Sequence, residues 1–170
     1  FTGSITLPNI NHLNFSKTKL YIDNDSDTWG TSQIANTLLG ASIKYNAKLV
    51  AKPTSEGVLT WSFVQQTKPE ITLDLLFEHD ATSIAEKVDW RAETPKLIRL
   101  LNQGSAFASP GNTYSNRTML LDVAGKWLKF DKIGEQNGND VLQGHFVGRY
   151  NSAQASAGKL LITNSLSVLP

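Results

Sequence analysis

The sequence predicts a mostly β protein, a β-sandwich or partly closed barrel of about seven to nine strands with one flanking α-helix. Short segments of alternating apolar and polar residues recur along the chain. Turn-forming residues separate them, as Asn137-Gly138 does before the run at 141–150. Only one segment, after His79-Asp80, changes to helical spacing. Because helices and strands do not alternate, a parallel α/β fold is not expected.

Length and composition favour one domain with a substantial core. The chain has 170 residues, of which 40% are hydrophobic. Charged residues make up 18%, below the usual value of roughly 25%, which predicts that neighbouring molecules cover part of the surface. A net charge of +1 does not favour a protein that binds nucleic acid through its phosphates. There is no cysteine, and no apolar run approaches the roughly 20 residues of a membrane span.

The first sixteen residues are expected to form either an arm that docks on a neighbouring subunit or an ordinary first strand. Residues 1–16 contain short apolar runs that Pro8 and several asparagines interrupt. Residues 17–23 follow as a predicted strand, with Leu20 and Ile22 on one face. Residues 1–170 are therefore predicted to form a single domain with an N-terminal arm.

Three aspartates, the first of them at the end of this strand, can be interpreted as a calcium loop or as a turn. Asp23, Asp25 and Asp27 have the D-x-D-x-D spacing of a calcium loop. However, the sixth position is Thr28 where that motif has glycine, and the twelfth is Ile34 where it has glutamate. Aspartate and asparagine also favour turns through local hydrogen bonds. An Asx-rich turn is favoured over a calcium site.

Two alternating runs predict a hairpin over residues 42–66. The turn between them contains Pro53, Glu56 and Gly57. Trp61 alternates with apolar neighbours in the second run and is expected in the core. The side chains that share a face in the two runs are Ile43, Tyr45, Ala47 and Leu49, and then Leu59, Trp61 and Phe63.

The segment at 69–101 predicts a strand, a helix and a second strand. Thr82 or Ser83 is expected to cap the helix, and Ser83 with Glu86 has the spacing of a capping box. Ile84 and Val88 recur at helical spacing. Pro95 ends the helix. In the first strand the polar residues alternate with Ile71, Leu73, Leu75 and Phe77.

The last third of the chain predicts strands around one long loop. Strands are expected at 96–102, 117–124, 126–130, 141–150 and 159–169. Gly144 and Gly148 flank Phe146 and are expected to leave room for a large ring or a close backbone. The loop at 104–116 is long enough to suggest a function. It contains Gly104, Phe107, Pro110 and Tyr114.

No catalytic motif is visible in the sequence, so neither an enzyme nor a cofactor is expected. The histidines His12, His79 and His145 are far apart, and no spacing of ligand types predicts a metal site. His79-Asp80 is the one adjacent acid–base pair. Its expected role is structural, because Asp80 would lie near the positive end of the helix.

The central segment resembles the tail tube proteins of phages with long, non-contractile tails. The similar features are the E-H-D turn at 78–80, the A-E-K helix at 85–87 and the P-K-L-I-R-L strand at 95–100. Further similar motifs occur at 20–24, 32–39, 124–127 and 132–134. The resemblance covers most of the chain, from about Lys19 to Tyr150.

This resemblance implies a structural subunit that forms hexameric rings, which stack into a tube that delivers DNA into the host. One sheet of each subunit would join its neighbours around the channel. The implied partners are the chain itself, the tape-measure, tail terminator and tail-tip proteins, and DNA in transit. The implied location is the virion tail, after synthesis in the host cytoplasm. The loops expected to order when rings stack contain Pro53, Glu56 and Gly57, and Gly104, Phe107, Pro110 and Tyr114.

An acidic stripe is the most specific surface feature. Glu70, Asp74 and Glu78 lie four residues apart on the polar face of one strand, about 13 Å from one to the next. They are expected either to line the channel, where they would repel DNA phosphates, or to pair with Lys44 and Lys48 across strands. Two other functions stay open, namely the tube of a contractile injection system and a carbohydrate-binding β-sandwich that uses exposed aromatic residues.

Overall fold

The structure is a computed structural model that describes residues 13–52, 55, 63–109 and 114–164. In this part of the chain a short 3-10 helix, Phe15–Lys17, precedes the first strand. None of the described helices is long and apolar enough to cross a membrane. The elements are β1 Thr18–Asn24, β2 Gln33–Ile34, β3 Leu38–Asn46, β4 Leu49–Lys52, β5 Phe63–Gln66, β6 Glu70–Glu78, α1 Ala81–Arg91, β7 Pro95–Ala106, β8 Asn116–Phe130, β9 Gly134–Gln136, β10 Asn139–Gly148 and β11 Gly158–Thr163.

Nine of the described strands form one antiparallel sheet. Seven of them follow the order β2-β1-β7-β8-β10-β6-β3, while β11 pairs with β8 and β9 pairs with β10. The long strand β8 has two different neighbours on one side. Residues 118–123 pair with β11, whereas the part of β8 after Ala124 pairs with β10. The described residues form no closed barrel. The predicted class, mostly β with one flanking helix, is confirmed.

The core lies between the two halves of this sheet. The alternation predicted for β6 is confirmed, because Leu73, Leu75 and Phe77 are fully buried while their polar neighbours face outward. Each such side chain contributes roughly 1.5–3 kcal/mol of burial free energy. The buried cluster consists of Leu20, Ile22, Leu73, Leu75, Phe77, Ile98, Leu100, Leu121, Val123, Trp127, Phe130, Leu142 and Phe146.

A β-bulge at Leu128 places two aromatic rings on the same face of β8. Phe146 pairs with Trp127 while His145 pairs with Lys129, so Leu128 is an extra residue without a partner in the ladder. Residues three positions apart on a regular strand face opposite sides. Here both Trp127 and Phe130 are buried, and Leu128 is 61% exposed.

Glycines on β8 and β10 allow these rings to fit. A Cβ atom at Gly144 would lie 2.7 Å from the Trp127 ring, so the predicted room for a large ring is confirmed. A Cβ atom at Gly125 would lie 2.0 Å from the carbonyl oxygen of Val147, which is far inside van der Waals contact. The strand break that the sequence predicted at Gly125 is wrong. The backbone of β8 continues through it to reach β10 closely.

Asp80 caps α1, which corrects the predicted cap at Thr82 or Ser83. The Asp80 carboxylate accepts from the Ser83 N–H at 2.8 Å, and the Ser83 hydroxyl accepts from the Asp80 N–H at 3.0 Å. Ser83 is thus the third helical residue of the capping box rather than its first member. Glu86 does not take part. Its carboxylate is buried and accepts from the Trp127 indole N–H at 2.9 Å. Burial raises the pKa of Glu86, and the Trp127 hydrogen bond opposes that rise.

Helix α1 does not bury the face that carries Ile84 and Val88. Ile84 and Val88 are 46% and 57% exposed, whereas Ser83 and Glu86 are buried and Trp90 packs partly against the core. The Trp90 indole donates to the carbonyl of Leu128, at the bulge, at 3.0 Å. This contact and the Glu86–Trp127 hydrogen bond set the rotation of α1. The spacing of Ile84 and Val88 predicted the helix but not the face that it buries.

The predicted hairpin over 42–66 is wrong in its pairing. The chain turns at Lys48, which has a φ of 46°, so the run from 38 to 52 is two strands. β3 pairs with β6, and β4 pairs with β5 as a separate two-stranded sheet. Trp61 lies outside the described residues, as do residues 1–12 of the predicted arm, and both predictions stand as predictions.

Gly125→Ala is expected to lower the free energy of unfolding by about 3 kcal/mol or more, because the new methyl group has no space beside Val147. Urea denaturation measures this change. Gly134→Ala is the matched control, since the nearest atom to its new methyl group lies at 3.6 Å. Equal stability losses in the two variants would contradict the close approach of β8 and β10.

Asp80→Ala is expected to lower stability by about 0.5–2 kcal/mol, and Thr82→Ala to change it little. Burial raises the pKa of Asp80, but hydrogen bonds from Thr37, Ser83 and Thr82 outweigh it, so the pKa lies below its ordinary 3.8. The cap therefore stabilises fully above about pH 4 and loses its effect as the pH falls further. Thermal unfolding of both variants from pH 7 to pH 3 tests this. A larger loss for Thr82→Ala would contradict the cap.

Candidate assembly surface

Four of the described strands in the main sheet, β2, β3, β9 and β11, have a partner on one side only, and β3 and β11 are the longest of them. Among the described strands, β3 pairs only with β6, and β11 pairs only with β8. An edge strand presents unpaired N–H and C=O groups that can pair with another chain. Exposed apolar side chains line both edges, namely Leu39, Ile43 and Tyr45 on β3 and Leu160 and Ile162 on β11.

The β4–β5 ribbon is a two-stranded sheet that exposes apolar side chains. Its apolar side chains Leu49, Val50, Phe63 and Val64 are all exposed. A two-stranded ribbon alone is marginally stable in water. Hydrogen bonds at its base join its two strands to each other, where the Thr67 N–H and hydroxyl both donate to the Lys48 carbonyl. The ribbon therefore carries apolar surface that only another surface can bury.

The loop residues predicted from the resemblance are only partly described. Pro53, Glu56, Gly57 and Pro110 lie outside the described residues. The prediction that Gly104 lies in the loop is wrong, because β7 continues to Ala106 and includes Gly104. The Phe107 N–H donates to the Ser115 carbonyl at 2.9 Å, which brings the two ends of the loop together. The Arg117 guanidinium lies 5.2 Å from the Phe107 ring centre. Tyr114 is exposed.

The acidic stripe lies on the outward face of β6, and two of its members are paired. Glu70 forms a salt bridge with Lys48 at 3.0 Å. Asp74 contacts the ring of His145 on the neighbouring strand β10. The predicted pairing with Lys48 is thus confirmed for one carboxylate. The stripe therefore carries less free negative charge than its sequence suggests.

His145 joins two carboxylates from different strands. Its Nδ1 lies 2.6 Å from Asp74 Oδ1, and its Nε2 lies 2.9 Å from Asp131 Oδ2. A neutral imidazole has one N–H, so both contacts are hydrogen bonds when the ring carries two protons. Lys129 also reaches Asp131 at 2.9 Å. The hydrogen bond from His145, and then that from Lys129, lower the pKa of Asp131.

Sequence reasoning did not find this group of side chains. Asp74 and His145 are 71 positions apart, and pairing of β6 with β10 makes them direct neighbours. The one available signal was the polar position of His145 on an alternating strand. That signal does not specify which strand lies opposite.

The aspartates at and beyond the end of β1 have the geometry of a turn. Asp23 is buried and accepts from the N–H groups of Gly30 at 2.7 Å and Ser32 at 2.6 Å. Asp27 accepts from the Asn24 N–H at 3.1 Å. No group of three or more acidic or histidine side chains that could hold a metal ion occurs among the residues the structure describes.

In the His79-Asp80 pair, the partners of Asp80 are structural. The Thr37 hydroxyl donates to Asp80 at 2.6 Å, in addition to the cap on α1. The Asp80 carboxylate is therefore oriented towards the helix end and Thr37. The expectation that the chain is not an enzyme stays a prediction.

Comparison of the sequence with protein-family models and with curated proteins gave no match. The similarity to tail tube proteins therefore depends on the motifs themselves and on their order along the chain.

His145→Gln is expected to raise the pKa of Asp131 towards its ordinary value, because the first cause of its depression is removed. Lys129→Gln removes the second cause and is expected to raise it less. Carbon-13 NMR titration of the Asp131 carboxyl measures both changes. An unchanged Asp131 pKa in His145→Gln would show that the contact does not form in solution.

Proposed function

We propose that this chain is the structural subunit of a phage tail tube, which self-assembles into stacked hexameric rings around a channel for DNA. The observation that carries the proposal is the outer edge of β3, which pairs with no other strand of the described part of the chain and exposes apolar side chains. The motif resemblance supports the same conclusion. The proposed role is mechanical, with no catalysis and no cofactor.

The position of the open edges supports ring formation. β3 lies at one end of the strand order, and β11 borders the other half of the sheet. Pairing between two unlike edges is head-to-tail, and such contacts close into rings when the rotation between copies allows it. Each pairing would satisfy N–H and C=O groups that water otherwise solvates.

The β4–β5 ribbon supports contacts between rings. It stands apart from the main sheet and exposes apolar side chains that a neighbouring copy can bury. In the proposed tube the ribbon and the 107–115 loop contact the next ring. The other partners would be the tape-measure, tail terminator and tail-tip proteins.

The acidic stripe is proposed to line the channel. Glu70, Asp74 and Glu78 share the outward face of β6, and a ring would repeat them around the bore. Lys48 offsets the charge of Glu70. The bore would therefore be weakly acidic, which repels DNA phosphates enough to prevent sticking during transit. The proposed location is the tail of the virion.

Val50→Lys with Val64→Lys is expected to abolish tube formation and leave the monomer folded, because both side chains are exposed on the ribbon, at 45% and 56%. Ile84→Lys with Val88→Lys on α1 is the matched control, at 46% and 57% exposed, and should assemble. Negative-stain electron microscopy and light scattering across protein concentrations measure assembly, with tail-tip complex added as a seed.

Tubes or rings with a central hole in the unmodified protein would support the proposal. A strict monomer at every concentration, also on the seed, would overturn it. Glycan binding by that monomer would instead indicate a carbohydrate-binding module. Assembly of both double variants would show that the ribbon takes no part.

A further inference from the structure

A cavity of about 390 Å³ beside the C-terminal end of α1 carries an excess of positive charge. Its volume is within the range of roughly 300–1,000 Å³ that is usual for ligand pockets. Its lining includes the apolar side chains of Trp90 and Leu128, the cations Arg91, Lys126 and Arg149, and the carboxylate of Glu93. Three cations thus face one carboxylate in the same cavity.

The carboxylate in this cavity offsets little of the positive charge. Glu93 lies 4.0 Å from Lys126, and its side chain is 84% exposed. An exposed ion pair contributes little stability. Arg91 is in the last turn of α1, where a cation is favourable, but Arg149 follows β10 and pairs with no acidic side chain among the described residues. The cavity therefore favours an anionic partner.

The β9–β10 hairpin carries the opposite charge at its tip. Glu135 and Asp140 are exposed and lie directly opposite each other in the strand ladder. Like charges in this position repel, and within the described part of the chain neither carboxylate has an ion pair. Asn137 and Gly138, with φ values of 53° and 83°, form the turn. A Cβ atom at Gly138 would have no described atom within 4 Å, so the tip projects from the fold.

We propose that the tip of this hairpin binds in the cationic cavity of a second copy, with Glu135 and Asp140 facing Lys126 and Arg149. The two surfaces lie at opposite ends of β10, because the hairpin opens this strand and Arg149 follows it. Its ten residues span roughly 30 Å, so a hairpin cannot fill the cavity of its own chain. The contact rests on the proposed self-assembly and, because its two surfaces differ, is head-to-tail.

Apolar side chains accompany both charged surfaces. Leu128 is 61% exposed at the cavity, and Ile133 is 50% exposed just before β9. Burial of both would add an apolar centre to the charged contact, as in other protein interfaces. Lys132 offsets one of the two carboxylates, which leaves the hairpin negative. Attraction between the two surfaces would also orient the copies as they meet.

Cross-linking between two copies tests the contact, because the chain has no cysteine of its own. One copy carries Gln136→Cys at the hairpin tip, and a second copy, made longer by an affinity tag, carries Leu128→Cys at the cavity. A short bis-maleimide is expected to give a mixed dimer. Ile162→Cys in place of Leu128→Cys is the matched control, at 60% against 61% exposed, and should give little.

Charge reversal tests the recognition itself. Lys126→Glu with Arg149→Glu in the cavity copy is expected to lower the yield of mixed dimer about tenfold. Addition of Glu135→Lys and Asp140→Lys to the hairpin copy should restore most of that yield, because opposite charges then face each other again. Circular dichroism shows whether each copy is folded, and the comparison with Ile162→Cys does not depend on these variants.

Three outcomes would overturn the proposal. These are equal linkage in the Ile162→Cys control, equal linkage between hairpin copies alone, and no restoration by the second pair of reversals in folded copies. Saturable quenching of tryptophan fluorescence by inorganic phosphate, in a protein that gives no mixed dimer, would also overturn it, because the cavity would then hold a small anion.

The contact and the proposed tube can fail separately. Mixed dimers from a chain that forms neither rings nor tubes would support the contact while the proposed tube fails. Tubes formed by the Lys126→Glu, Arg149→Glu variant would overturn the contact and leave the proposed tube in place.

Discussion

The bulge at Leu128 is the constraint on which the rest of the fold depends. It turns both Trp127 and Phe130 inward, and the Trp127 ring then meets Phe77, Phe130 and Phe146 at centroid distances of 5.9, 4.9 and 5.2 Å. The carbonyl of Leu128 is available to the Trp90 indole, which anchors α1. The packing of the core and the position of the helix therefore follow from one extra residue in β8.

Pairs of polar side chains that alternate with the core residues hold neighbouring strands in register. Arg99 and Asp122 are direct partners on β7 and β8, and their two hydrogen bonds measure 2.6 and 2.9 Å. The hydrogen bond to Asp122 raises the pKa of Arg99, although burial opposes it. His145 on β10 contacts Asp74 on β6 and Asp131, which directly follows β8. Such pairs specify which residues face each other more than they add stability, because desolvation offsets much of their attraction.

Among the described strands, backbone pairing is complete in the middle of the sheet and incomplete at its margins. β7, β8, β10 and β6 have partners on both sides, whereas β3 and β11 do not. Apolar side chains are buried around Trp127 and exposed on the β4–β5 ribbon. This uneven distribution is the physical basis for the proposed assembly, because a chain that buried all of its edges would have little reason to associate.

The sequence by itself determined the mostly β class, the inward face of β6 and the existence of α1, because each depends on a local period of apolar residues. Only the tertiary structure decided that Ile84 and Val88 face outward, that β3 pairs with β6 and that His145 meets Asp74 and Asp131. These features depend on contacts between residues far apart in the chain. A bulge of one residue or a turn at Lys48 changes which faces meet, and a local pattern contains no information about that choice.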